Sequence, residues 1–251
     1  MPDWRLVVEP QGRPGAENMA VDEALLREAG RTGVSVLRLY RWSPPCISFG
    51  RHEPARARYD RDEIRRLGLD TVRRPTGGRA VWHADEVTYA LAAPISGLGS
   101  LRDSYVDIHA RLAAALRCLG VAAELASPRP PAGLGTGACF ATPAGGEVLV
   151  AGRKVVGSAQ RREAGAFLQH GSILLDGSQD VLRAVSRQPA ADGAADAATT
   201  LRAVLQRPVG FTEVAEAICA AWELGGGSSS QAHPDPARTA RYADPAWTWR
   251  R

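Results

Sequence analysis

Strand-like and helix-like segments follow one another along this chain in no regular order, which constrains its fold more than any single motif. EVTYALAAP (86–94) alternates Val87, Tyr89 and Leu91 on one face, the period of a strand. VSVLRLYRW (34–42) alternates apolar and polar residues as a half-buried strand would, and Pro44-Pro45 separates it from a second short strand, CISFG (46–50). TVRRPTGGRAVWH (71–83) places two strand-like arms around Pro75-Thr76-Gly77-Gly78. EVLVAGRKVVGSAQ (147–160) reads as a hairpin turning at Gly152-Arg153, and AFLQHGSILLD (166–176) as a further strand. Helical spacing recurs in ENMAVDEALLREAG, with Met19, Leu25 and Leu26 as its stripe and acidic residues in its early turns. It recurs in 103–119, through Ile108, Leu112, Leu116 and Leu119. A charged helix over 59–67, closed by Gly68, and helices over 178–205 and 211–224 complete the expectation. Doubly wound folds need regular βα alternation. This order predicts instead an α+β fold, a mixed β-sheet with flanking helices.

At 251 residues and 45% hydrophobic content the chain can bury a full core. One catalytic-sized domain is expected over 1–224. GGGSSSQAHPDP has linker composition, so 225–251 reads as a linker and C-terminal tail. No uncharged apolar run approaches the roughly 18 residues of a membrane span, and MPDWRLVVEP lacks the basic start of a secretory signal. The expectation is a cytoplasmic protein that engages no membrane. Cys46, Cys118, Cys139 and Cys219 show neither CxxC nor CxxH spacing, so no metal site is expected. A net charge of +4, spread along the chain without an aromatic-rich motif, predicts no nucleic-acid partner.

Among 31 basic residues Lys154 is the sole lysine; all others are Arg. An ammonium is a compact donor whose proton can be shared, whereas guanidinium stays charged and forks. An edge-strand lysine that discourages aggregation is the bland reading of Lys154. However, Gly157-Ser158-Ala159 follow it, and small residues leave room for a ligand close to the backbone. Gly77-Gly78 reads either as a simple turn or as a ligand loop. Arg73, Arg74 and Arg79 flank it and His83 lies beyond, a set suited to an anionic or carbonyl-bearing ligand. Cys139 lies in the Gly/Pro-rich stretch 127–146, where a nucleophile is one reading. Cys46, Cys118 and Cys219 read as packing residues. His170, in Gln169-His170-Gly171-Ser172, reads as a base, a ligand donor or a structural histidine. His52, His109 and His233 have no motif around them.

The helix ENMAVDEALL, the loop RRPTGGRAVWH, the run GRKVVGSAQRR and the strand LQHGSILLD stand in the order and spacing of one known family. Together they resemble the lipoate–protein ligases and octanoyltransferases of the biotin/lipoyl protein ligase fold group. The resemblance covers about residues 4–176, with an echo in YADPAWTW. It implies a biotin/lipoyl-ligase-like catalytic domain with the acyl site along one face of a mixed sheet. ATP-dependent ligases of the family commonly have three glycines in the loop and need no cysteine. One octanoyltransferase branch places a cysteine in a CF-containing segment before the lysine motif. Gly77-Gly78-Arg79 and Gly137-Ala138-Cys139-Phe140 both look like the transferase, and Ala141 departs from it where that branch often has an acid.

The resemblance thus implies acyl transfer from octanoyl-acyl carrier protein, through Cys139, to a lysine of a lipoyl domain or glycine-cleavage H protein. Lys154 would position the carbonyl. Arg73, Arg74, Thr76, Gly77, Gly78, Arg79 and His83 would shape one wall of the site, and Gly157, Ser158, Ala159, Gln160, His170 and Gly171 the other. A thioester is already activated, so no cofactor is required. ATP and Mg would enter only under the alternative of a lipoate–protein ligase; amide exchange between lipoyl domains is a third chemistry. Burial of an octanoyl tail at about 0.8 kcal/mol per methylene supplies on the order of 5 kcal/mol of binding.

Overall fold

The period-two segments pair into one central sheet, and the helical segments cover its two faces. The computed structural model describes residues 4–96, 100–127, 145–163, 165–187, 198–224 and 232–251. In chain order these form β1 (Trp4–Arg13), α1 (Gly15–Thr32), β2 (Ser35–Trp42), β3 (Cys46–Phe49), α2 (Ala55–Arg58), α3 (Arg61–Arg66), β4 (Asp70–Arg73), β5 (Val81–His83), β6 (Glu86–Pro94) and α4 (Leu101–Cys118). There follow β7 (Ala123–Leu125), β8 (Val148–Val150), β9 (Arg153–Lys154), β10 (Val156–Glu163), β11 (Ala166–Leu174), α5 (Asp180–Ala184), α6 (Leu201–Leu205), α7 (Phe211–Ala221), α8 (Pro236–Ala243) and α9 (Pro245–Thr248). The central sheet runs β1-β2-β6-β11-β10; β1 and β2 are parallel and the other neighbours antiparallel. Two three-stranded sheets, β4-β3-β5 and β7-β8-β9, lie beside it. This is the expected α+β architecture with a mixed sheet.

Strand alternation decides which helix covers which face. Val87, Tyr89 and Leu91 of β6 join Leu37 and Leu39 of β2 against Ile108, Leu112 and Leu116 of α4 and Val214 and Ile218 of α7. The intervening Ala90 and Ala92 turn the other way, where their small side chains let Met19, Leu25 and Leu26 of α1 approach. Each buried Leu, Ile or Met contributes roughly 1.5–3 kcal/mol on this apolar transfer scale.

Several local expectations need correction. β2 is buried on both faces rather than half-buried, because Arg38 is neutralised inside the protein. Its Nη1 donates to Asp22 Oδ1 at 2.8 Å and its Nε to Glu9 Oε2 at 2.8 Å. Asp22 therefore serves this buried ion pair rather than the helix terminus. The arms around Gly77-Gly78 do not pair with each other: β3 lies between them, parallel to β4 and antiparallel to β5. Residues 180–184 and 201–205 form two short helices in place of one long one, and Cys118, at the end of α4, is exposed. β8 and β9 pair only over Leu149–Lys154 and Val150–Arg153, after which the chain leaves for the central sheet as β10.

The final helices pack onto the body. Tyr242 Oη donates to Glu23 Oε2 of α1 at 2.8 Å, Arg73 Nε donates to the Thr248 carbonyl at 2.8 Å, and the Trp249 ring meets Phe49 at 5.1 Å. Among the described residues no helix is long and apolar enough to cross a membrane.

Candidate active site

The loop between β4 and β5 owes its shape to one side chain. Arg74 donates through Nη1 to the Ser48 carbonyl and Oγ, both at 2.9 Å, and through Nη2 to the carbonyls of Gly77 at 2.9 Å and Arg79 at 2.5 Å. A guanidinium that gathers two carbonyls of the loop and one of β3 fixes a backbone no regular ladder supports. Gly50 allows the loop to close, since a Cβ there would stand 1.9 Å from the Gly78 oxygen. Gly78 itself has φ +88°, a conformation that favours glycine.

Beneath this loop lies a pocket open to solvent. Arg74 and His83 line one side, and Gly157, Ser158, Ala159, His170 and Gly171 the other, so both expected walls contribute. Met19, Tyr40 and Trp42 add apolar surface, and Ser48, Val81, Thr88 and Ser172 complete it. Gly171 admits the close packing of this wall: a Cβ would meet Ser158 Oγ at 2.4 Å and the Gly157 oxygen at 2.5 Å.

Three polar chains hold the walls. In the first, His170 Nδ1 faces Asp22 Oδ2 at 2.8 Å and Nε2 faces Thr76 Oγ1 at 2.6 Å, tying α1 through β11 to the glycine loop. Burial pushes His170 below its ordinary value, although the Asp22 carboxylate opposes this. Burial alone would raise Asp22, but His170 and Arg38 outweigh it and hold the carboxyl below its usual range. The neutral imidazole thus donates from Nδ1 to Asp22 and accepts at Nε2 from Thr76. In the second chain, Glu86 Oε1 accepts from His83 Nδ1 at 2.8 Å, Ser172 Oγ at 2.8 Å and Thr88 Oγ1 at 2.5 Å. His83 Nε2 meets Ser48 Oγ at 2.7 Å, and its ring stacks on Trp42 at 4.0 Å.

The third chain has one direction. Gln160 Nε2 donates to Gln169 Oε1 (2.8 Å), Gln169 Nε2 to Tyr89 Oη (2.7 Å), Tyr89 Oη to Ser158 Oγ (2.7 Å), and Ser158 Oγ to His109 Nε2 (2.8 Å). His109 Nδ1 ends the relay at the Gly146 carbonyl, 2.7 Å away, and this acceptor fixes the tautomer. Burial, with the nearby charge of Lys154, depresses His109 to about 4, so the ring is neutral.

Lys154 is 2% exposed on β9, and its Nζ lies 2.5 Å from Glu147 Oε1. It sits three residues before the pocket-lining Gly157, and its charge reaches His109. Cys139 falls outside the described residues. Of the other expected residues, Thr76 and Gln160 act through the chains above. Gly77 and Arg79 lend carbonyls to Arg74, and Gly78 turns the loop. Arg73 is a correction. It is fully buried and turns away from the pocket, donating to the carbonyls of Gly50, Glu53 and Thr248. Burial, with Arg250 nearby, lowers it to about 10. Asp22, Glu86, Tyr89, His109 and Glu147 were not among the expected site residues. Glu86, three residues after His83, was the one with a sequence signal. Among the described residues no cluster of three His, Cys, Asp or Glu is placed to hold a metal.

Ta0514 of T. acidophilum, a lipoate protein ligase solved with bound lipoic acid, superposes with a TM-score of 0.78 over 99% of this chain and 100% of its own, at 19% identity. A lipoate-protein ligase A bound with ATP gives 0.77 over 99% of each chain at 20% identity. These likenesses speak to the fold. The chain belongs to the family of the lipoyl protein ligase A/B catalytic domain, whose model matches residues 14–223. Octanoyltransferase LipM of Moorella thermoacetica is 45% identical over 194 residues, 74% of this chain and 70% of its own length. Octanoyltransferase LipM of Symbiobacterium thermophilum is 41% identical over 233 residues, covering 87% and 84%.

Proposed function

We propose that this enzyme transfers an octanoyl group from the thioester of acyl carrier protein, by way of Cys139, to the ε-amine of a lysine on a lipoyl domain or glycine-cleavage H protein. The observation that carries the reading is the sole lysine, buried on β9 at the head of the run whose Gly157, Ser158 and Ala159 line the pocket. The octanoyltransferases at 41% and 45% identity support the same chemistry.

In the first step the Cys139 thiolate attacks the thioester carbonyl. A new C–S bond forms, the old one breaks, and the carrier thiolate leaves and takes a proton. In the second step the acceptor amine attacks the acyl-cysteine, an amide forms, Cys139 leaves as thiolate and the amine nitrogen loses its proton. Lys154 donates a hydrogen bond to the carbonyl oxygen as negative charge develops on it. Paired with Glu147, Lys154 acts as an aimed donor more than as a bare charge. One thioester is exchanged for another and then for a more stable amide, so no nucleotide is consumed.

The test is transfer to an apo lipoyl domain. Octanoyl-carrier protein without ATP should octanoylate the acceptor, and Cys139→Ser and Lys154→Met should each lower the rate by at least about 10²-fold. Ligation of free lipoate with ATP that survives Cys139→Ser would overturn the reading in favour of a ligase.

A further inference from the structure

The acyl-transfer scheme uses Lys154 but leaves unexplained the carboxylate that meets it. Glu147 is itself buried, 5% exposed, and lies just before β8, the strand that pairs with β9. A carboxylate in that position carries a desolvation cost that an apolar residue would avoid. Its surroundings are arranged around the Lys154 ammonium. Oε1 stands 2.5 Å from Nζ and accepts from Tyr105 Oη at 3.4 Å. The Tyr105 ring packs edge-on against His109 at 4.1 Å, and His109 receives the hydrogen bond of the pocket-lining Ser158. Gly146, the neighbour of Glu147, supplies the carbonyl that fixes the His109 tautomer. One short segment, Gly146-Glu147, therefore sets both the lysine and the end of the relay that reaches the pocket wall.

We propose that Glu147 is a positioning residue for the transferase, holding the Lys154 Nζ aimed at the acyl carbonyl. The inference rests on the role given to Lys154 above. Glu147 touches neither donor nor acceptor; it acts through Nζ. Glu147→Gln keeps the shape but removes the negative charge that fixes the direction of Nζ. Glu147→Asp keeps the charge and draws it back by one methylene.

Two readouts test this, each with thermal melting to follow folding. The first is steady-state transfer from octanoyl-carrier protein. Glu147→Gln should lower kcat on the order of 10²-fold while KM for the donor stays within about threefold, and Glu147→Asp should recover about tenfold of the loss. The second needs no substrate. With a single lysine in the chain, peptide mass mapping after brief treatment with acetic anhydride at neutral pH reads Lys154 alone. Nζ is buried and tied to Glu147, so its release should quicken labelling at least about tenfold in Glu147→Gln. Wild-type kcat or wild-type labelling in that variant overturns the inference. If Glu147→Gln fails to fold, Glu147→Asp carries both readouts, with intermediate values expected and wild-type values contradicting. A wild-type enzyme that transfers no octanoyl group refutes the function proposed above, whereas labelling still decides whether Glu147 holds Lys154.

Discussion

His109 shows how a residue without any sequence motif becomes part of a site. On α4 it occupies one place in an apolar stripe, and both its partners, Ser158 and Gly146, come from distant segments. No local pattern announces such a meeting. Asp22 has no sequence signal either: only the fold reveals Arg38 and His170 beside it. Arg74 and His83, set apart by the neighbouring glycines, were legible, and both line the pocket. The buried neutral imidazole of His109 has a consequence for stability. It protonates near 6.5 when unfolded and only at about 4 when folded. Between those values the unfolded state binds more protons, so stability rises with pH and is lost as pH falls from 6.5 towards 4. The contribution is on the order of 3 kcal/mol. Thermal melts from pH 7 to pH 4 should show Tm falling through this window, with the slope reduced in His109→Asn, which keeps a donor for Gly146. An unchanged slope in that variant would contradict the assignment.

Among the elements, the β4–loop–β5 unit was half legible. Its two arms and glycine turn follow from the residues, but a strand can insert between two arms from elsewhere in the chain, and β3 does so. Periodicity reports which residues pair well and not which strand they meet. The same limit explains β9 and β10, one continuous run in sequence that the fold divides between two sheets. Glycines in the two walls differ in what they permit, and a pair of substitutions separates their roles. Gly171 pairs with Ser158 across β11 and β10, and an added Cβ would lie 2.4 Å from Ser158 Oγ. Gly77 has open space around it and no positive φ. In urea unfolding Gly171→Ala should cost about 1–3 kcal/mol, as overpacking does, while Gly77→Ala stays within about 0.5 kcal/mol of wild type. Equal losses in the two variants would contradict this account of the walls.

For the whole molecule, the fold class was the most legible property, because irregular alternation of strands and helices leaves few architectures. The central sheet then does two things at once. Its α1 face carries the Asp22–His170–Thr76 chain to the glycine loop, and its α4 face carries the relay from Tyr89 through Ser158 to His109. Both reach the pocket through β10 and β11, which explains why residues far apart in sequence share one cavity. Under the proposed function, acyl transfer passes through a covalent thioester on Cys139. Intact-mass analysis after mixing the enzyme with octanoyl-carrier protein, with no acceptor present, tests it most directly. A single octanoyl increment that maps to Cys139 and vanishes in Cys139→Ala is the predicted result. An unmodified enzyme that nonetheless octanoylates a lipoyl domain, or an octanoyl adduct retained in Cys139→Ala, would contradict it.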